Sequence, residues 1–387
     1  MTVPLYLAVD VGSAEIKIAV DGQAQAPVPI PAPRDMHAAA LEALSAAQLQ
    51  RPLSGICIAS PEAWLSVADA GSQELLREAW EDRIGIQGIT WAGQLTSVAA
   101  LVSRQRGPGR YLVCDIGASG VRVGMIAVSG TTVSVESVSG AGGGWLQFDQ
   151  AVRRIAGDVL PEAWHEQAAG QVERLGLVVA DAAASPDHLG ARALRITLHD
   201  SVCDLTAGQV LDCFAATQAS LLEHCSQVMG GGPPDTAVLT GGFGWFPLAT
   251  SVIASVAGSE PLMTGQDTAA RGALLFARKE IRLAPEGKER VEVPAHRIRD
   301  GILEPVSVEI PWTRPFASPP DGNLMLTSQD LHLRVADQPC RARLAGLRPG
   351  PYRIGVRASW AGTSFVVARP ESGDEVYAAA IDALDSS

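Results

Sequence analysis

The sequence predicts an α/β chain built on a duplicated unit and followed by a small all-β sandwich. Three observations carry this. Strands alternate with helices up to about Glu280, and an apolar strand, an Asp-x-Gly turn and an alternating strand occur twice. Past about Leu283 helical periodicity gives way to short alternating runs.

The elements follow in order. "PLYLAVDVG" and "EIKIAVDG" read as a hairpin, "MHAAALEALSAAQL" (36–49) as an amphipathic helix and "LSGICIAS" as a buried strand. "SQELLREAWEDRIG" (72–85) opens on a serine cap and closes on glycine, the boundary signals of a helix. "IQGITW" is a short strand, and "QLTSVAALVSRQ" a helix ended by "RGPGR". The opening pattern then returns: "YLVCDIGASGVRVGMIAVSG" repeats strand, aspartate, glycine turn and alternating strand about 105 residues after its first appearance, and "TTVSVESVSG" adds a third strand. Residues 143–184 read as helical, "ARALRITL" as a strand and "LTAGQVLDCFAATQASLLEHCSQV" as a long helix. "DTAVLTGGFGWFPLATSVIASV" is strand, double glycine and helix, and "DTAARGALLFARKE" closes the region as a helix. Beyond it, "PVSVEI", "LHLRVA", "CRARLAGL", "PYRIGVRAS" and "TSFVVARP" are short strands at close spacing.

Composition narrows the function. Of the 387 residues 47% are apolar and 19% charged, which describes a well-buried globular chain. The formal charge of -12 argues against a phosphate-backbone footprint, so no nucleic-acid partner is expected. No apolar run reaches the length of a membrane span, and "MTVPLYLAVDV" lacks the basic start and cleavage site of a signal peptide. The six dispersed cysteines show no zinc spacing and read as buried free thiols, so a cytoplasmic setting is expected.

The two Asp-x-Gly turns carry the chemistry. A glycine turn after a buried strand exposes successive backbone N–H groups that can converge on an anion. Two such turns facing each other could hold one phosphate chain from both sides. An aspartate at each strand end, Asp10 and Asp115, would then face a magnesium ion through its waters. Lys17, one of only three lysines, stands between the apolar positions Ile16 and Ile18 and is favoured as a phosphate contact.

These motifs resemble the actin, hexokinase and DnaK-type heat-shock ATPase superfamily, most closely the DnaK-type nucleotide-binding domain. "DVGSAEIK" is similar to the first phosphate loop, "DIGASG" to the second and "VLTGGFGWFPL" to the adenosine motif. "WAGQLTSVAAL" and "DTAARGALLFA" resemble the helices that connect two lobes, and "GAGGGWLQFDQAV" resembles the chaperones' glycine-rich run. The resemblance covers about residues 4–281, with motifs in family order. It implies an actin-like ATPase fold of duplicated ribonuclease-H-like lobes over 1–283, with lobe I at about 1–110 plus 266–281 and lobe II at about 111–265.

Carried over by position, the resemblance implies ATP or ADP and Mg²⁺ as ligands. Asp10 and Asp115 would orient metal-bound water, and Gln94 would position the attacking water. Gly12, Ser13, Lys17, Gly117, Ala118, Ser119 and Gly120 would bind phosphate. Gly241, Gly242, Phe243, Trp245 and Glu173 would take the adenosine. The chaperones' second lysine has no counterpart in the short interval 21–52, and their basic adenine clamp falls on Trp245, Gly176 and Leu177. The expectation is a nucleotide-dependent switch or chaperone-like module with slow or absent hydrolysis. A pseudo-ATPase scaffold is the alternative, with a sugar-type kinase and a filament former behind it. "LRPGPYRIGVRAS" resembles the tyrosine corner of immunoglobulin- or fibronectin-like sandwiches, so 290–387 is expected to be such a domain docking a protein partner.

Overall fold

The computed structural model describes residues 4–12, 15–21, 23–24, 28–29, 53–61, 89–157, 160–161, 164–198, 201–283, 291–310, 324–335, 338–358, 364–370 and 375–384. The helices expected over 36–49 and 72–85 lie outside them, as does Ser13. The chain is mixed α/β and divides into two compact units, 1–60 with 90–282 and 61–89 with 283–387.

In the first unit, β1 (Leu5–Val11) and β2 (Glu15–Val20) form an antiparallel hairpin, and β3 (Leu53–Ser60) and β4 (Thr90–Gly93) extend it in parallel. The order is β2-β1-β3-β4, with the short strands Gln23–Ala24 and Val28–Pro29 pairing β2. Helix α1 (Gln94–Arg106) follows β4 directly. Residues 86–88 of the expected "IQGITW" strand lie outside the described residues, and the segment that pairs β3 runs on to Gly93.

The second sheet repeats the first. Strands β5 (Gly109–Ile116) and β6 (Val121–Ser129) form the hairpin, and β7 (Thr132–Ala141) adds to β6 antiparallel. Helices α2 (Trp145–Ala156), α3 (Trp164–Ala169) and α4 (Val172–Ala184) follow, then the β8–β9 hairpin (Arg192–Thr197 and Val202–Thr206). Thr206 opens α5 (Ala207–Val228) with a capping box in which Thr206 and Gln209 satisfy each other's backbone N–H. Strand β10 (Thr236–Thr240) then runs parallel to β5, and β11 (Leu262–Met263) parallel to β10. Helix α6 (Pro247–Ala257) lies between them in sequence, and α7 (Thr268–Ala277) follows β11. The order β7-β6-β5-β10-β11 has the strand senses of the first sheet, with β5 in the place of β1 and β10 in that of β3.

Two helices cross between the sheets. Helix α1, which leaves the first sheet, packs on β5 and β6 of the second, whereas α7, which leaves the second, packs on β1 and β3 of the first. They pack against each other, and both carry buried small residues, Ser97, Ala99 and Ala100 on one and Ala269, Ala270 and Ala273 on the other. Gly272 makes the contact: a Cβ there would strike the Ser97 carbonyl. Such close backbone approach is what a missing side chain permits.

The larger core lies between the second sheet and its helices. Phe148, Phe214, Phe243 and Phe246 form a cluster with ring centroids 5.0 to 6.5 Å apart, and Trp164 and Trp145 pack beside it. Tilted and edge-on rings of this kind add to simple area burial. Five of the six cysteines are buried and Cys203 is half-buried, all as free thiols. Among the described residues no helix is long and apolar enough to cross a membrane.

The described strands of the second unit pair antiparallel. Its strands are β12 (Val291–Arg299), β13 (Ile302–Ile310), β14 (Leu324–Leu326), β15 (Asp330–Val335), β16 (Gln338–Arg343), β17 (Gly350–Ala358), β18 (Ser364–Pro370), β19 (Tyr377–Ala380) and β20 (Asp382–Ala383). They link in the order β19-β18-β17-β14-β12-β15-β16-β20, with β13 paired to β12. Where two facing sheets were expected, the described strands form one continuous ladder around a core that includes Val293, Leu324, Leu333, Ile354 and Val366. The tyrosine of "LRPGPY" closes a corner: Tyr352 Oη donates to the Arg348 carbonyl at 2.7 Å.

Candidate functional site

The two hairpin turns open on a cleft of about 380 Å³ in the first unit, within the size range of small-molecule sites. The strand ladders set its charged residues. In the first hairpin Lys17 stands directly across from Asp10, and in the second Arg122 stands directly across from Asp115. Each cation lies seven residues after its aspartate. Thr240, in register with Asp115 on β10, completes this edge.

These groups are joined in a chain of hydrogen bonds. Gln94, the first residue of α1, donates from Nε2 to Asp10 Oδ1 at 2.5 Å and to the Val11 carbonyl at 3.3 Å. Its Oε1 accepts from Arg122 Nη1 at 2.5 Å, and the same Nη1 is 3.3 Å from Asp115 Oδ2. The chain Asp10–Gln94–Arg122–Asp115 therefore runs from the first sheet to the second. Burial raises the Asp10 carboxyl above its ordinary value; Lys17 and the Gln94 bond oppose the rise, Asp115 adds to it and Arg122 opposes it. Asp115 is likewise raised by burial against the pull of Arg122 and then Lys17. Lys17 Nζ is 3.8 Å from Glu15 Oε2, a longer-range pairing at the rim.

The turns are closed from within. The Gly12 N–H donates to the Glu15 carbonyl at 3.1 Å, and the Gly117 N–H to the Gly120 carbonyl at 3.0 Å. Both glycines line the cleft, but their amides are engaged in the turns and are not donors to an anion in this conformation. The start of α2 braces the second turn, with the Trp145 and Leu146 N–H groups donating to the Gly117 and Ala118 carbonyls at 3.0 and 2.9 Å. Ala118 lines the cleft; Ser119 is exposed and Gly120 is buried against the Ala141 carbonyl, both off the lining.

Aromatic residues share the lining. Gly241, Gly242 and Trp245 of the double-glycine motif line the cleft, joined by Trp145, Leu146 and His165. Gly241 has φ +92°, and a Cβ there would strike Asp115 Oδ1 and the Ile116 carbonyl, so only glycine lets this loop lie on the second turn. The Phe243 N–H fixes the approach by donating to the Ile116 carbonyl at 2.9 Å. Two adenosine expectations are corrected here. Phe243 is fully buried in the aromatic core because five neighbouring rings enclose it, and Glu173 is exposed on the first turn of α4 and does not line the cleft. Asp149 of the glycine-rich motif serves packing, accepting from Trp164 Nε1 at 2.6 Å and Arg153 Nε at 2.8 Å.

Sequence reasoning did not single out Arg122, Trp145 or His165. For Arg122 a signal was present, since its spacing from Asp115 repeats that of Lys17 from Asp10. A purely alternating strand reading assigns it to a polar face and stops there.

The cleft lining brings together two cations, Lys17 and Arg122, and the indole and imidazole groups of Trp145, Trp245 and His165. Gln94 and Arg122 meet the two carboxylates expected to face magnesium through water. Among the described residues there is no group of three or more His, Cys, Asp or Glu side chains that could hold a metal directly. The second unit has a groove of about 410 Å³ whose lining mixes apolar residues such as Pro305 and Val306 with His296, His332 and Asp330, the last paired with Arg341 at 2.7 Å. No family model matches the chain, and no curated protein matches it.

Proposed function

We propose that the first unit is a two-lobed, actin-like nucleotide-binding domain that takes ATP or ADP in this cleft. The observation that carries the reading is the doubled cross-strand pair, Asp10 with Lys17 and Asp115 with Arg122, set at the turns of two equivalent hairpins that line one cavity. The shared strand order of the two sheets and the exchanged packing of α1 and α7 support the duplicated ribonuclease-H-like architecture. Phosphates bridging both turns favour one lobe angle over others, so nucleotide shifts the population of conformers. Gln94 spends its amide on Asp10, Val11 and Arg122, which favours slow or absent hydrolysis over efficient water positioning. In this reading the second unit docks a protein partner, supported by the exposed apolar residues Ile298, Ile302 and Leu303 beside the β12–β13 turn.

The same hydrogen-bond chain favours one rival, a scaffold whose polar cleft satisfies itself and needs no nucleotide. Calorimetric titration with ATP of the wild type and Asp10→Ala separates the two. Saturable binding by the wild type supports the nucleotide reading, and absence of binding supports the scaffold. Phosphate release by the bound protein then distinguishes a slow ATPase from a locked binder.

A further inference from the structure

We infer that Arg122 is the cleft's built-in counter-cation and that the site takes a nucleoside di- or triphosphate without a divalent metal ion. The inference rests on the nucleotide reading above and names how that site neutralises its ligand.

Arg122 is the cross-strand partner of Asp115, and its Nη1 reaches both Asp115 Oδ2 and Gln94 Oε1. Gln94 in turn holds Asp10. One guanidinium therefore already sits among the groups that a two-carboxylate metal site would need. A divalent ion placed there would meet a fixed positive charge with little water between them, and like charges repel strongly where screening is low. Arginine does not escape this by losing its proton.

Chemistry gives the complement. Nη1 makes both of these bonds, while a guanidinium carries five N–H donors in a planar fork that suits phosphate oxygens. Arg122 lines the cleft and keeps part of its surface open to it. Lys17 holds the equivalent place on the first hairpin, so each turn presents one cation beside its aspartate. Two side-chain cations converging from two sides can supply the positive charge that Mg²⁺ otherwise brings to a polyphosphate.

The test is equilibrium titration of the full chain with ADP and ATP in two buffers, one containing Mg²⁺ and one containing EDTA. The wild type is expected to bind with dissociation constants that agree within about threefold between the buffers, a difference well under one decade. Arg122→Ala is expected to lose at least about tenfold in EDTA, in line with loss of a charge-assisted contact, and to recover part of it in Mg²⁺, because Asp115 is then open to the metal. Arg122→Lys keeps the charge and guards against misfolding; it is expected to bind in EDTA within about fivefold of the wild type, less than one decade. Wild-type affinity that falls at least about tenfold in EDTA overturns the inference and leaves the nucleotide reading standing. Absence of binding in either buffer overturns both.

Discussion

Arg122 lies directly across the second hairpin from Asp115, with Nη1 3.3 Å from the carboxylate oxygen, as Lys17 lies across the first hairpin from Asp10. The two turns are thus chemical as well as topological repeats, each with one acid and one cation lining the same cleft. This pairing explains why a lysine-poor chain keeps Lys17 between two apolar strand positions.

Lys17 is expected to be a principal phosphate contact. Lys17→Ala should weaken ATP binding by roughly 10- to 100-fold, the range of a hydrogen bond to a charged group, without loss of the folded state. Calorimetry paired with a thermal melt checks both halves. An unchanged dissociation constant would remove Lys17 from the site.

Trp245 is expected to serve the base and not the phosphates, since it brings an indole to the cleft lining while Lys17 and Arg122 bring the cations. Stacking of a base on an aromatic ring is worth about 1–3 kcal/mol. Trp245→Ala should therefore weaken ATP about tenfold or more and leave inorganic pyrophosphate nearly unaffected. Equal losses for the two ligands would assign Trp245 a structural role.

The helix crossing offers a stability test. A methyl group at position 272 would collide with the Ser97 carbonyl, so Gly272→Ala forces α1 and α7 apart. Overpacking of this kind costs about 1–3 kcal/mol, and each kcal/mol lowers the melting temperature by about 2–4 °C in a domain of this size. A melting temperature equal to that of the wild type would show that the helices yield freely.

Acid should relieve the cleft. Burial holds the Asp10 carboxyl above its ordinary value, so the folded chain binds that proton more tightly than the unfolded chain. The stability difference due to this group consequently falls as pH rises through the raised value. Asp10→Asn keeps an oxygen for Gln94 and removes the buried charge. It should melt above the wild type at neutral pH, and the gap should close as pH drops below the ordinary carboxylate range. A gap that is constant with pH would contradict the assignment.

Much of this arrangement was legible in the chain. The repeated "DVGSAEIK" and "DIGASGVR" segments mark both hairpins, because a buried strand ending in Asp-x-Gly leaves few alternatives to a tight turn. Gln94 was legible as the residue that opens a helix after a strand, although its bonds to Asp10 and Arg122 depend on two sheets meeting. Phe243 and Glu173 were misplaced for a common reason. Their motif spacing is local, whereas the aromatic cluster that buries Phe243 draws rings from four separate segments, α2, α3, α5 and the loop before α6. Trp145 and His165 reach the cleft only because α2 docks on the second turn and α3 folds back against it, which no spacing records.

The central claim is that both turns hold one nucleotide, and hydrogen exchange with and without saturating ATP tests it most directly. Peptides covering residues 8–20 and 112–124 should both become protected, with the same dependence on ATP concentration. Protection of one turn alone, or of neither, would contradict the account.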